Sequence, residues 1–272
     1  QFSCLVTSKG EVMPCVGVTL PLGSVRRMPL KEIIANSSVL KDLKNYRCTI
    51  KGPCRECELA DGCYGCRGAA YQLTGDYLAS GIDGMEIHVH DNAQDQLGQI
   101  MKSGKLVVYG DVGQTFGYAA KGGEAYVLGN VAGRAMINAV GKPRIVINGT
   151  SLDYLAESFM AGNPLEGGGF VILNGIAYSD QGEISDLAEP YPGGNLFSLA
   201  SGGAIYLRDP KKLVGDEQLN GGEFVPMTTG DWTLIEPYLR ENEHLFDISL
   251  EELLTVGGES RPPAAVYRKV TV

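Results

Sequence analysis

Residues 105–149 read KLVVYGDVGQTFGYAAKGGEAYVLGNVAGRAMINAVGKPRIVING, and this stretch decides the fold. It holds three short runs, KLVVYG, EAYVLG and RIVING, which are rich in β-branched and apolar residues and end on glycine. Such runs are typical of β-strands. Similar runs flank the stretch at EIHVH (86–90), FVILNG (170–175) and AIYLRD (204–209). The residues that close the first five runs are spaced 20, 19, 20 and 26 along the chain.

A strand at about every 20 residues predicts a repeating fold whose strands stack in parallel. Glycine makes up 37 of the 272 residues, against a usual share of ~7 %, and 21 of these glycines lie between Gly98 and Gly203. Glycine suits the corners of a repeat because it tolerates a positive φ and close backbone approach. We therefore expect a mainly β chain with a parallel β-helix over residues 83–230. An antiparallel sandwich is the alternative, although its strands usually recur at ~8–12 residues.

Residues 231–272 follow a different pattern. The run DWTLIEPYLRENEHLF (231–246) has apolar residues at helical spacing and predicts an amphipathic helix. Ser249, followed by LEEL, is typical of the capped start of a second helix. We expect these helices to cap the open end of the repeat, because an uncovered last strand exposes an edge; docking of a partner is the alternative.

All seven cysteines lie in the first 66 residues, and four of them form one dense run. Cys54, Cys57, Cys63 and Cys66 are spaced C-x2-C-x5-C-x2-C. Four thiolates in such an arrangement hold zinc or an iron–sulfur cluster, whereas an odd number of cysteines leaves a disulfide set incomplete. Free cysteines in a reduced cytosolic fold are the alternative.

The cysteine-rich front resembles the SPASM module, the auxiliary-cluster extension of many radical-SAM enzymes. CLVTSKGEVMPC (4–15) is similar to the opening of that module, and GPCRECELADGCYGCRG (52–68) with the following TGDYLAS is similar to its close. The resemblance implies a module over residues 1–82 that binds one or two [4Fe–4S] clusters. The implied ligands are Cys54, Cys57 and Cys63 for one cluster and Cys4, Cys15 and Cys66 for the other.

This sequence departs from the module in two places. A further cysteine is expected soon after Ser80, where the chain reads GID, and Cys48 is a surplus thiol that can substitute for a missing ligand. Seven cysteines cannot build two four-cysteine clusters, so one cluster takes a non-cysteine or partner ligand, or only one forms. The C-x3-C-x2-C loop of the radical-SAM core is absent from these residues.

The remainder of the chain, about residues 84–270, resembles the GXGXG domain. The resemblance covers the glycine-rich stretch from GQIMKSGKLVVYG onward and the ending RPPAAVYRKV (261–270). That domain is a right-handed β-helix in the large subunit of glutamate synthase and in a subunit of formylmethanofuran dehydrogenase. The resemblance implies a right-handed parallel β-helix that acts mainly as a scaffold, and a fold alone does not license an activity.

Other candidate chemistry is sparse. His88 and His90 lie two apart on one predicted strand, which suits a metal, but without a third ligand in view a surface pair is the commoner arrangement. Asp91, Asp95 and Asp111 follow strand ends, and we expect them to bond turns rather than to act as acids or bases.

The formal net charge of −9, without a basic stripe, argues against nucleic acid as a partner. No apolar run reaches the ~18 residues that a membrane span needs, and we expect a cytoplasmic protein. The sequence begins at Gln1 without a methionine, so we expect a processed chain or a C-terminal piece of a longer one.

Together these features predict an iron–sulfur electron-transfer and scaffold subunit of a glutamate-synthase-like or electron-bifurcating oxidoreductase. Its partners would be flavin- or iron–sulfur-containing subunits, and no residue of its own would be catalytic. The predicted metal ligands are Cys54, Cys57, Cys63 and Cys66, with Cys4, Cys15 and Cys48 as further cofactor ligands. Two alternatives are the C-terminal part of a radical-SAM/SPASM enzyme and a structural β-helix subunit stabilised by zinc.

Overall fold

The computed structural model describes residues 4–15, 17–51, 55, 67–78, 86–179, 182 and 184–272. The chain forms two compact units, the N-terminal unit Gln1–Asp83 and the C-terminal unit Gly84–Val272. The fold is mostly sheet with few helices. Within the described ranges, no helix is long and apolar enough to cross a membrane.

The N-terminal unit combines a small antiparallel sheet with short helices. The sheet contains β1 (Leu5–Val6), β2 (Glu11–Met13) and β3 (Gly23–Ser24), in that order. The helices are α1 (Leu30–Asn36), α2 (Ser38–Lys44), α3 (Tyr46–Thr49) and α4 (Arg67–Thr74). Helix α2 begins after Ser37 because the Ser37 hydroxyl accepts a hydrogen bond from the Leu40 N–H at 3.2 Å. The apolar core of the described part is small: Val12, Val18, Ile33, Leu40, Ile50 and Ala70.

The C-terminal unit contains most of the strands. In chain order they are β4 (Glu86–Val89), β5 (Lys105–Val108), β6 (Glu124–Val127), β7 (Arg144–Ile147), β8 (Phe170–Leu173), β9 (Ile176–Tyr178), β10 (Ile184–Asp186), β11 (Ala204–Arg208), β12 (Glu223–Val225), β13 (Thr255–Val256), β14 (Glu259–Ser260) and β15 (Tyr267–Thr271). The helices are α5 (Thr229–Phe246), α6 (Leu250–Leu254) and α7 (Pro263–Val266). All six runs predicted as strands are strands.

Eight of these strands form one large mixed sheet in the order β12-β15-β11-β8-β7-β6-β5-β4. The six strands from β11 to β4 run parallel to their neighbours. Strand β15 is antiparallel to both β11 and β12. Two antiparallel hairpins, β9–β10 and β13–β14, stand apart from this sheet.

The parallel strands pair in the register that the sequence spacing predicts. Lys105 pairs with Glu86 on one side and with Glu124 on the other, so neighbouring residues are 19 apart in the chain. Isolated parallel bridges follow two further lines, Ala93–Val112–Val131–Ser151 and Val140–Met160–Gly202. Successive repeats of 19 or 20 residues therefore stack on one another along three lines.

Both faces of the parallel sheet are buried, which explains why its strands are almost wholly apolar. Val108 and Val127 belong to one core, together with residues of the turns between the strands. Val107 and Tyr126 point the other way, into a second core that includes Leu239 of α5. Helix α5 thus covers one face of the sheet.

The C-terminal helices are placed differently from the cap that the sequence suggests. Helix α5 spans the predicted run 231–246 and begins at a capping box formed by Thr228 and Asp231. It contributes Ile235 and Leu239 to the core on the sheet face. Beyond the last parallel strand, β15 and β12 continue the sheet in the antiparallel sense, so strands rather than helices extend that edge.

A chain of buried amides fixes α5 against the repeats. The Asn148 side-chain N–H donates to Asn242 Oδ1 at 2.8 Å, and the Asn174 side-chain N–H donates to Asn148 Oδ1 at 2.9 Å. The Tyr267 hydroxyl donates to Asn174 Oδ1 at 2.9 Å. Because each of these buried polar groups is bonded, the network specifies how the helix lies on the sheet.

A ladder of polar side chains links the repeats at the turn after each strand. Asn92 Oδ1 accepts from the Asp111 N–H at 2.7 Å, and Asp111 Oδ1 accepts from the Asn130 N–H at 2.7 Å. Asn130 Oδ1 then accepts from the Thr150 N–H at 3.0 Å. Each side chain bonds a turn one repeat further along, which positions that turn over its own.

The corners of the repeat are less dependent on glycine than expected. One corner position is repeated with φ between 57° and 72°, by Gly98, Gly117, Met136, Ala156 and Phe197. The left-handed conformation costs a non-glycine residue roughly 1–2 kcal/mol. At Met136 the backbone N–H donates to Phe116 O of the previous repeat at 2.7 Å, and the side chain is fully buried. Stacking and burial therefore offset the strain.

A buried ion pair joins α5 to the strand β15. Asp231 is fully buried and accepts hydrogen bonds from the Lys269 ammonium at 2.7 Å and from the Tyr206 hydroxyl at 2.7 Å. Burial alone would raise the pKa of Asp231, but the hydrogen bonds from Lys269, Thr228 and Tyr206 outweigh it and lower the pKa to about 2. The Asp231 pKa is thus lower in the fold than its ordinary value of 3.8.

We predict that this carboxylate contributes about 2 kcal/mol above pH ~4, and that the contribution is lost as the pH falls toward ~2. Replacing Asp231 by Asn should cost about 3–5 kcal/mol at pH 7, because Lys269 keeps a largely buried charge without its partner. Urea unfolding between pH 7 and pH 2 measures both. The control is Asp247→Asn, which alters an exposed carboxylate at a left-handed helix end. Equal stabilities of wild type and Asp231→Asn would contradict this account.

Candidate metal centre

The structure describes three of the seven predicted ligands. Cys4 precedes β1, and Cys15 forms an isolated antiparallel bridge with Val18; both cysteines are partly buried. Cys48 is exposed on helix α3. All three are free thiols.

The dense run of Cys54, Cys57, Cys63 and Cys66 lies outside the described residues. In the part of the chain that is described, no three His, Cys, Asp or Glu side chains come together in a way that could hold a metal ion. Cys4, Cys15 and Cys48 therefore do not form a metal site by themselves. The assignment of the seven cysteines as ligands stays a prediction.

Two glycines let the Cys15 turn approach helix α4 closely. A Cβ atom at Gly68 would lie 2.9 Å from the Cα of Gly17 and 3.7 Å from the Cys15 sulfur. Gly68 is the second residue of α4 and stands two residues after Cys66 in the sequence. The fold thus places the Cys15 sulfur beside the chain segment that directly follows the cysteine run.

A second contact joins the chain on either side of residues 52–66. The Lys51 N–H donates to Leu78 O at 2.7 Å, and the Lys51 ammonium pairs with the Asp76 carboxylate at 2.5 Å. The hydrogen bond from Lys51 and the backbone bond from Leu78 lower the pKa of Asp76. These contacts hold the entry and exit of the segment that carries most of the predicted ligands.

Tyr77 extends this contact to helix α2. The Tyr77 hydroxyl donates to Asp42 Oδ2 at 2.9 Å. Burial, and then the Asp42 carboxylate, raise the pKa of Tyr77 to about 12, so the hydroxyl remains a donor at neutral pH. The Thr49 hydroxyl donates to the Asp42 carbonyl at 3.0 Å, which ties the end of α3 to α2.

The chemistry of the donor set suits an iron–sulfur cluster, and it also suits zinc. Thiolates are the soft ligands that both prefer, and the described cysteines are not consumed in disulfides. At Gly17 and Gly68 the two backbones meet where side chains would collide, and Cys15 lies next to that meeting point. The described residues therefore fit a thiolate-held centre near the start of α4.

Two family models match the chain. The GXGXG motif model matches residues 63–228, which is more than half of the sequence. The chain belongs to the GXGXG motif family. A second model, the SPASM iron-sulfur cluster-binding domain, matches residues 1–58. The architecture suspected from the sequence, an iron–sulfur module followed by a GXGXG region, is thus confirmed, and this GXGXG protein carries an iron–sulfur cluster-binding domain.

The curated relatives of this GXGXG protein are similar to it over a short stretch. The AdoMet-dependent heme synthase of Methanosarcina barkeri is 41% identical over 75 residues, which is 28% of this chain and 21% of that protein. The AdoMet-dependent heme synthase of Nitratidesulfovibrio vulgaris is 34% identical over 76 residues, 28% of this chain and 20% of that protein. The match therefore spans about one fifth of these relatives. No solved structure is significantly similar to the chain.

In the GXGXG unit, the two candidate histidines pack with other side chains instead of converging on a metal. His88 Nε2 lies 2.9 Å from Glu86 Oε1, and the His90 ring stacks on Tyr109 with 4.8 Å between ring centres. Among the described residues no third ligand completes a metal site with them. They form a surface pair on the first strand of the sheet, as expected.

The three candidate acids of the GXGXG unit also have structural roles. Asp91 accepts from the Asn92 N–H at 2.7 Å, and Asp95 accepts from the Gln114 N–H at 2.8 Å. Asp111 belongs to the ladder between repeats. The prediction that they bond turns is confirmed.

Sequence reasoning missed an open groove of about 800 Å³ between α5 and the starts of strands β4 to β6. Glu86, Lys105 and Glu124 are paired in register across these strands, and Glu241 of α5 forms an ion pair with Lys105. The signal was present in the sequence, because the first strand residues alternate in sign one repeat apart. Side chains in the groove neutralise one another in part, and we assign it no chemistry.

We predict that Gly68→Ala lowers the iron content of the purified protein. The added methyl would lie 2.9 Å from Gly17 Cα, so the Cys15 turn and α4 must separate. Gly230→Ala is a matched control, because Gly230 is also the second residue of its helix and its added Cβ would meet atoms only at 3.6 Å or more. Iron and sulfide analysis after anaerobic purification measures the effect. Full iron in Gly68→Ala would show that this contact is not needed by the cluster.

Proposed function

We propose that the chain is an iron–sulfur electron-transfer and scaffold subunit of a multi-subunit oxidoreductase, of the glutamate-synthase-like or electron-bifurcating kind. One observation carries the proposal: an iron–sulfur cluster-binding domain and a GXGXG region occur on one polypeptide. A cluster-binding domain beside a scaffold suits a subunit that positions a redox centre between partners. The partners would be flavin- or iron–sulfur-containing proteins of the cytoplasm.

The proposed centre is a [4Fe–4S] cluster held by Cys54, Cys57, Cys63 and Cys66. Such a cluster, when bound, supplies one-electron transfer. Cys4, Cys15 and Cys48 are the remaining thiols, too few for a second cluster without a ligand of another kind. Cys15 is the best placed of them, because its sulfur lies beside the start of α4.

The proposed role of the C-terminal unit is to hold partners in register. We interpret its stacked repeats as a right-handed parallel β-helix. The parallel registers of β4 to β8 and the two lines of bridges between repeats support this interpretation. Neither the histidine pair nor the acidic turn residues supply a catalytic group, which suits a subunit whose chemistry lies in its partners.

A second candidate function is the C-terminal part of a radical-SAM/SPASM enzyme. The similarity to two AdoMet-dependent heme synthases favours it. In that case a longer parent chain supplies the C-x3-C-x2-C core, and the cluster of this chain serves that core.

We expect the anaerobically purified chain to be brown, with broad visible absorption, iron and sulfide. Cys57→Ser should remove most of the iron because it deletes a central ligand of the dense run. Cys48→Ser is the control, since Cys48 is exposed and surplus, and should retain the iron. A colourless protein that contains zinc and no iron would overturn electron transfer and favour the structural zinc subunit.

Affinity isolation of the natural protein from its own cells distinguishes the two redox functions. Recovery of flavin- or iron–sulfur-containing subunits in fixed ratio, without 5′-deoxyadenosine on addition of AdoMet and dithionite, is the result expected for an electron-transfer subunit. Recovery of a longer chain that cleaves AdoMet reductively would establish the second candidate instead.

A further inference from the structure

Arg67 is a buried arginine next to a predicted ligand. It is 6 % exposed, begins helix α4 and directly follows Cys66. A guanidinium is charged at every physiological pH and is almost never fully buried unless negative charge accompanies it. Arg55 offers a comparison within the same run, because it directly follows Cys54 but is exposed.

The described surroundings of Arg67 leave positive charge at the start of α4. One guanidinium N–H lies 3.4 Å from the Tyr77 carbonyl. The Arg67 charge also contributes to lowering the pKa of Asp76, after the hydrogen bonds from Lys51 and Leu78. The Asp76 carboxylate itself is bonded by the Lys51 ammonium, so two cations share one carboxylate here.

The helix start adds to this positive charge on the side where sulfur approaches. The first N–H groups of a helix carry a partial positive charge and lack partners within the helix. The Cys15 sulfur lies 3.7 Å from the position of a Cβ on Gly68. A thiolate that packs against this helix start therefore meets both the helix dipole and a buried, permanent cation.

We propose that Arg67 sets the reduction potential of the iron–sulfur cluster, an inference that rests on the proposed function. Reduction adds one electron and no proton, so the cluster and its thiolates become more negative by one charge. A buried cation close by stabilises the reduced form more than the oxidised form and raises the potential. An exposed cation at the same sequence distance is screened by water and acts weakly.

The test is a spectroelectrochemical titration of the anaerobically purified protein with dithionite as the reductant. Arg67→Met should make reduction at least tenfold less favourable, which is 59 mV toward negative potential for one electron. Arg55→Met removes the same charge beside another predicted ligand and should shift the potential much less. Arg67→Lys keeps the charge and should stay near the wild type.

Each outcome decides the matter. Equal shifts in Arg67→Met and Arg55→Met, or equal shifts in Arg67→Met and Arg67→Lys, would overturn the proposal. If Arg67→Met loses its iron while Arg67→Lys keeps it, the charge is required for the cluster and the proposal stands. Loss of iron from both Arg67 variants would assign the residue to packing and overturn it. A wild type without iron would instead refute the proposed function.

Discussion

Each strand in the middle of the parallel sheet finds its hydrogen-bonding partners one repeat earlier and one repeat later in the chain. The backbone of one repeat is therefore the template for the next, and other features of the C-terminal unit follow. The polar ladder through Asp111 and Asn130 positions the turns, and left-handed corners such as Met136 are held by bonds to the repeat before. Long-range pairing of this regular kind spreads stability along the unit, since each repeat depends mainly on its neighbours.

The N-terminal unit rests on a different principle. Its described core contains only a few apolar side chains, and its sheet strands are two or three residues long. Small domains with little apolar burial commonly depend on metals or disulfides. The contacts that do exist, Gly17 with Gly68 and Lys51 with Asp76, gather the chain around the cysteine run. Metal binding and folding would be coupled in such a unit.

The sequence predicts those features that leave a local pattern. Strands were identified because burial on both faces makes them apolar, and α5 because the apolar spacing of 231–246 is helical. The four-cysteine run is visible from spacing alone. The contacts that organise the cluster module are not, because Lys51 and Asp76 are 25 residues apart and neither is unusual locally. The same limit applies to the corner at Met136, where stacking rather than residue type selects the conformation.

The spacing of 26 residues between the runs that end at Gly149 and Gly175 has a structural explanation. The bridge from Val140 to Met160 keeps an offset of 20, whereas Arg144 pairs with Phe170 at an offset of 26. The six extra residues are therefore confined to one corner, beside the short turn Pro164–Glu166. Register survives an insertion at this place. Such corners are points at which the polypeptide can be lengthened, by natural divergence or by grafting, while the stacked framework is preserved.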